Sequence, residues 1–235
     1  MPKFAIGLCF FQDRASLERC LPTLKDFDHV FAIDGRFDYA RAPNELSTDG
    51  SRELIQSFPN TILIDRPNTS EQQKRQTYCE LCKEYGCDYL LTVDADEYVK
   101  GNISYFKKDC IEHVDPRFNV YATLVQDEEK PSYYIMRPRL WFHPWEMQYL
   151  NMHYAFRRKD SNAKESWLKT GSPADIMWGI WINHDHKLRS VEYTGRQAEF
   201  YKIQHPPERA LDILTLKTED QLRAEIAAEL GWKSK

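Results

Sequence analysis

Three apolar runs in the first hundred residues close on an aspartate, and segments with helical spacing separate them, which confines the chain to a small set of α/β topologies. Residues 4–11 form an unbroken apolar run, and residues 16–27 follow with Ser16 at the N-cap and Leu17, Cys20, Leu21 and Leu24 on one helical face. Residues 29–35 read as a second strand ending in Asp34 and Gly35, followed by a polar loop through Pro43 and Asn44. Residues 51–58 read as a helix, 61–64 as a strand closing on Asp65, 70–85 as a helix capped by Ser70, and 88–93 as a strand closing on Asp94. Strands separated by short helices predict a mostly parallel, Rossmann-like sheet with helices on both faces. Ligands of such sheets bind beyond the carboxyl ends of the strands, so this order gathers Asp34, Asp65, Asp94 and Asp96 at one rim.

After about residue 100 the pattern changes. Residues 119–126 and 132–142 read as strands joined by the turn Asp127-Glu128-Glu129-Lys130-Pro131, which predicts an antiparallel hairpin. Residues 133–156 are dense in aromatics, including Trp141, Trp145, Tyr149 and Tyr154; each ring alone reads first as part of a second small core, and some together as the lining of a pocket. Thr218-Glu219-Asp220-Gln221 fits a capping box that opens an amphipathic helix closed by Gly231. A chain of 235 residues suffices for one full α/β domain. The expected organisation is a single domain over 1–235, with a nucleotide-binding half at 1–100, an acceptor-side half at 101–205 that is smaller, antiparallel and aromatic-rich, and a C-terminal helical segment at 206–235.

A net charge of -4 excludes a global bias toward nucleic acid, so any anionic partner must be met locally. The opening Met1-Pro2-Lys3-Phe4-Ala5-Ile6-Gly7 lacks the apolar core and cleavage site of a secretory signal, and no stretch approaches the roughly 18 apolar residues of a membrane span. A cytoplasmic location with no membrane span is expected. The six cysteines then read as reduced thiols. Cys79 and Cys82, with Cys87 nearby, have the spacing of a zinc knuckle, but they lie in a segment of helical composition without a second ligand pair, and core packing is the expectation.

The chemistry gathers in two places. Leu90-Leu91-Thr92-Val93-Asp94-Ala95-Asp96-Glu97-Tyr98-Val99 delivers two carboxylates, one residue apart, where an apolar run stops. A continuing strand alternates its side chains, which would put Asp94 and Asp96 on one face and aim both at one hard divalent cation. Such a cation bridges carboxylates and a diphosphate and neutralises charge on a leaving group. The second place is Trp178-Gly179-Ile180-Trp181-Ile182-Asn183-His184-Asp185-His186-Lys187-Leu188-Arg189-Ser190. His184 and His186 would point the same way if the strand continued and would complete the coordination of a metal held by Asp94 and Asp96, while Arg189 would meet phosphate oxygens.

With these residues the chain resembles the glycosyltransferases of the GT-A fold, particularly the family 2 type. The matching pieces are the opening strand, Ala32-Ile33-Asp34-Gly35, Ser47-Thr48-Asp49-Gly50-Ser51, Lys74-Arg75-Gln76, the Asp-x-Asp stretch, and His184-Asp185-His186-Lys187-Leu188-Arg189-Ser190. The resemblance implies a nucleotide-diphosphate sugar donor and a metal, Mn2+ or Mg2+. By it, Asp34 would contact the base or ribose, Arg75 would sit near the base or phosphates, Asp94 would lie nearest the sugar and ribose, Asp96 would be the stronger metal ligand, and the late metal or diphosphate contact would fall to His186 first, with His184 close behind.

The acceptor class stays open among a glycan, a lipid-linked sugar, a protein and a modified base. An inverting transfer also needs a base for the acceptor hydroxyl, and the candidates are Glu146, Asp160, Glu165 and Asp175, with Asp175 and Glu146 in front. The main rival is a nucleotidyltransferase, which normally shows a glycine-rich basic loop after the first strand, where this chain has Phe10-Phe11-Gln12-Asp13-Arg14. A non-catalytic nucleotide- or carbohydrate-binding module is the third reading.

Overall fold

The computed structural model describes residues 1–38, 43–115, 118–128, 134–149, 156–158 and 176–185, all within one compact unit, Met1–Arg189. The expected alternation is present: β1 (Phe4–Phe10), α1 (Arg14–Cys20), β2 (His29–Asp34), α2 (Ser51–Gln56), β3 (Thr61–Asp65), α3 (Glu71–Tyr85) and β4 (Tyr89–Asp94). The first helix is shorter than the sequence predicts. Pro22 has no N–H to donate, and the chain tightens there into a 3-10 turn, Leu21–Leu24. In α3 the expected cap is complete: Ser70 accepts from the Gln73 N–H, the Gln73 side chain returns to the Ser70 N–H, and Gly86 closes the helix in a left-handed conformation.

Past β4 come β5 (Glu97–Gly101), α4 (Ile103–His113), β6 (Val120–Asp127), β7 (Tyr134–Phe142), a 3-10 turn (Pro144–Glu146), β8 (Met147–Tyr149), β9 (Phe156–Arg158) and β10 (Ile176–His184). Strands β6 and β7 form the predicted antiparallel pair, but they extend the main sheet instead of standing apart from it. One mixed sheet runs in the order β3-β2-β1-β4-β7-β6-β10-β5, parallel through its first four strands. β8 and β9 pair separately.

This order forces the sheet to curl. β4 and β5 lie four strands apart in the sheet, which is roughly 19 Å across a flat one. Only Ala95 and Asp96 link them in sequence, and three Cα steps reach at most about 11 Å. The sheet therefore bends back until β5, with β10 beside it, returns to the carboxyl end of β4.

Both faces of the sheet are covered, which explains the near-continuous apolar runs of β1 and β4. One face packs Phe4, Ile6, Leu8, Leu91 and Val93 with Leu17, Leu21, Ile55 and Phe106. The other packs Ala5, Phe31, Ile33 and Leu90 with Tyr78, Cys79, Cys82, Cys87, Trp141 and Tyr149. The aromatic stretch is thus largely core: Trp141 and Tyr149 are buried and Trp145 is half-buried, while Tyr154 lies outside the described residues. The predicted capping box at Thr218 also lies outside them. No helix among the described residues is long and apolar enough to cross a membrane.

α3 crosses β1 so closely that Gly7 faces the Tyr78 ring, and a Cβ there would stand 2.8 Å from its carbons. Gly7→Ala is expected to lower stability by about 1–3 kcal/mol, the usual cost of overpacking, read as a lower urea midpoint at unchanged slope. An unchanged midpoint would contradict this packing of α3 on the sheet.

Candidate functional site

The rim at the carboxyl ends of β1 to β4 carries the predicted acids, in three separate arrangements. Asp34 and Asp65 are neighbours in the register of β2 and β3. Arg52 of α2 bridges them, with Nη1 2.6 Å from Asp34 Oδ2 and 2.7 Å from Asp65 Oδ1. Asp34 is fully buried and also accepts from Ser47, through Oγ at 2.7 Å and N–H at 3.1 Å. Asp34 therefore anchors the loop that follows β2. Two residues on, Asp49 accepts from the Arg14 N–H at 2.9 Å and the Ser51 Oγ at 2.6 Å, tying the starts of α1 and α2 together.

The second arrangement centres on Asp94. The buried face of α3 is polar at its rim end, with Glu71, Lys74 and Arg75 all buried. Lys74 donates to the Gly35 carbonyl and lies over the Phe37 ring at 4.1 Å; burial pulls its pKa down. Arg75 reaches Glu71 at 2.8 Å, the Tyr78 hydroxyl at 3.1 Å and Asp94 Oδ1 at 3.0 Å. From β7, Arg139 reaches Asp94 Oδ2 at 3.4 Å and Glu97 Oε1 at 2.6 Å. Glu97 in turn accepts from the Asp94 N–H at 2.8 Å. Burial, reinforced by Asp94 and Asp96, pushes the Glu97 carboxyl up to about 7 against the pull of Arg139.

The third arrangement joins the two ends of the sequence. His184 pairs in register with Glu97, so the end of β10 lies beside the turn that carries Asp96. His184 Nε2 stands 2.9 Å from Asp96 Oδ2, and the Asp185 N–H donates to the Asp96 carbonyl at 3.0 Å. Asp96 is buried and His184 half-buried.

These positions correct the expectation that one continuing strand aims both aspartates. β4 stops at Asp94, and Ala95 and Asp96 form the turn into β5. Asp94 faces two arginines and Asp96 faces His184. β10 likewise ends at His184, and His186, Arg189 and Asp175 lie outside the described residues. Among the described residues no three His, Cys, Asp or Glu side chains stand together as a metal site.

Glu146 is at the wrong end of the sheet for chemistry at the rim. β7 runs antiparallel to β4 with Phe142 opposite Tyr89, and the His143 N–H donates to the Asp88 carbonyl at 2.8 Å. Glu146 follows there and accepts from Asn119 Nδ2 at 3.1 Å. Ile176, next in sequence to Asp175, begins β10 at the end far from His184. The described residues hold Glu146 away from the acids, and Asp175 lies outside them.

Sequence reasoning passed over Arg52, Glu97, Arg139 and Asp185. Glu97 had the clearest signal, directly after the paired acids. Arg139 had none, because its partner Asp94 is 45 residues away and only strand pairing brings them together.

No protein-family model matches the chain, and no curated protein does. Similar solved structures include TarS of S. aureus, 17% identical with a TM-score of 0.40 over 54% of this chain and 22% of that one. TarS 1–349 in complex with UDP is 16% identical, with a TM-score of 0.40 over 54% of this chain and 36% of that one. Glucosyl-3-phosphoglycerate synthase from Mycobacterium tuberculosis, solved with Mn2+, UDP and glucosyl-3-phosphoglycerate, is 11% identical, with a TM-score of 0.35 over 53% of this chain and 44% of that one. The chain thus spans less than half the length of each of these solved chains.

Proposed function

We propose that this chain is a metal-dependent glycosyltransferase that moves a sugar from a nucleotide-diphosphate donor to an acceptor. The observation that carries the reading is the meeting of Asp96 and His184 at the rim, 88 residues apart in sequence, beside an Asp94 held by two guanidinium groups. Structural ion pairs also form at strand ends, but they do not require an imidazole brought across a curled sheet to a buried carboxylate.

The donor set fits the expected cation. One carboxylate and one imidazole suit Mn2+, which accepts an imidazole nitrogen more readily than Mg2+ does and takes its remaining oxygens from a diphosphate and water. When bound, the ion supplies positive charge against the departing diphosphate. The chain's own residues do the rest. Asp96 and His184 would hold the ion, and Arg75 and Arg139 fix the Asp94 carboxylate where it would meet the sugar and ribose. The N-terminus of α3 opens at the same rim and adds a positive field suited to phosphate. Glu97 locks the turn between β4 and β5 through the Asp94 N–H and orients Arg139.

Asp96→Asn is expected to lower Mn2+-dependent donor hydrolysis, measured over a panel of nucleotide-diphosphate sugars, by about a hundredfold, the upper range for disturbing a metal site, with the unfolding midpoint little changed. Full turnover by the variant at saturating Mn2+ would end the metal reading.

Glu97 predicts a pH dependence. Its folded pKa, about 7, lies above the ordinary 4.5, so its contribution to stability is present below 4.5 and is lost as pH rises through 7. Urea midpoints at mildly acidic and mildly alkaline pH should therefore fall less in Glu97→Gln than in the parent chain. Equal falls in both chains would contradict the burial assigned to this carboxyl.

A further inference from the structure

The end of β10 is fastened from outside the site. Asp185, directly after His184, has a side chain only 4% exposed, and its carboxylate is gripped by Arg19 from the last turn of α1. Arg19 lies over the Tyr98 ring at 4.3 Å, donates to the Tyr98 hydroxyl at 2.8 Å, and pairs with Glu128. Asn183 donates to the same hydroxyl at 2.9 Å, and the Glu128 N–H donates to the His184 carbonyl at 3.1 Å. One guanidinium thus connects α1 to β5, to the turn after β6 and to the end of β10.

We propose that Arg19 is a positioning residue for His184: by holding Asp185 in place it keeps the His184 imidazole on Asp96, where the cation would bind. The inference rests on the metal reading given above for that site. The asymmetry of burial makes the link directional. Arg19 has a side chain 43% exposed, so the guanidinium itself gives up little hydration in the pair. Asp185 is buried, so withdrawing the Arg19 guanidinium from its carboxylate loosens the hold on that side chain. Movement of Asp185 draws His184 with it, because the two are consecutive and the Asp185 N–H is bonded to the Asp96 carbonyl. Arg19 bonds to neither Asp96 nor His184, so its effect on the ion would pass through Asp185 and through the Tyr98 and Glu128 contacts that flank the end of β10. Groups that orient metal ligands from behind typically alter metal affinity by about 10–100-fold.

The test compares Arg19→Ala with the parent chain and with Arg14→Ala, which removes a solvent-facing ion pair from the same helix. In metal-free protein, the ring N–H of His184 is followed by NMR, assigned with His184→Gln. Its exchange with solvent should quicken tenfold or more in Arg19→Ala and stay unchanged in Arg14→Ala. Electron paramagnetic resonance titration with Mn2+ alone should give a Kd raised by about 10–100-fold in Arg19→Ala only. Arg19→Lys, which keeps the charge but loses the fork, should fall between the two and serves as the test if Arg19→Ala does not fold. Unchanged ring exchange in Arg19→Ala, or equal effects from Arg14→Ala, would overturn the assignment. A parent chain that binds no Mn2+ would overturn the metal reading instead, and the ring exchange would still decide the role of Arg19.

Discussion

The two-residue link between β4 and β5 is the constraint on which the rest of the molecule depends. It is too short to reach the far edge of a flat sheet, so the sheet curls and the last strands return to the rim where the first four end. The return places His184 in register with Glu97 and within 2.9 Å of Asp96. Without it, β4 with Asp94 and β10 with His184 would stand three strands apart across a flat sheet. The turn itself is locked by Glu97, whose side chain bonds the Asp94 N–H and whose cost of burial is offset in part by Arg139.

Charge at the rim is partitioned rather than pooled. Four aspartates gathered at one rim would repel one another if left together. Instead Arg52 serves Asp34 and Asp65, Arg75 and Arg139 serve Asp94, and His184 serves Asp96. The distribution has a functional consequence. Two of the acids are tied to one arginine, a third is held between guanidinium groups, and Asp96 meets an imidazole that could join it on a cation.

Much of this was legible in the sequence, and the remainder was not for identifiable reasons. Period and capping signals give β1 through β4 and α3 to within one or two residues, because buried parallel strands read as apolar runs and Ser70 with Gln73 forms a local cap. The second half of the sheet was legible only as a hairpin. β5 is short and opens on buried Glu97, a residue that reads as solvated surface, and α4 shows little beyond Asn102 at its cap and Phe106 with Cys110 on its buried face. Within the candidate site, the paired aspartates and the two histidines, His186 ahead of His184, were singled out by motif, whereas the separation of the two aspartates into different partners depends on strand order, which no local pattern encodes. The aromatic stretch was ambiguous because Trp141 and Tyr149 have the same composition in a core as in a binding platform; strand pairing with β4 and packing against α3 decide for the core.

The central claim is that Asp96 and His184 act as one cation-binding unit across the curled sheet. A double-mutant cycle of Asp96→Asn and His184→Gln, read as Mn2+ affinity in the presence of nucleotide diphosphate, tests it most directly. The account predicts strong coupling, with the double variant binding no more than severalfold worse than the weaker single variant. Losses that simply add, or an affinity that neither substitution alters, would contradict it.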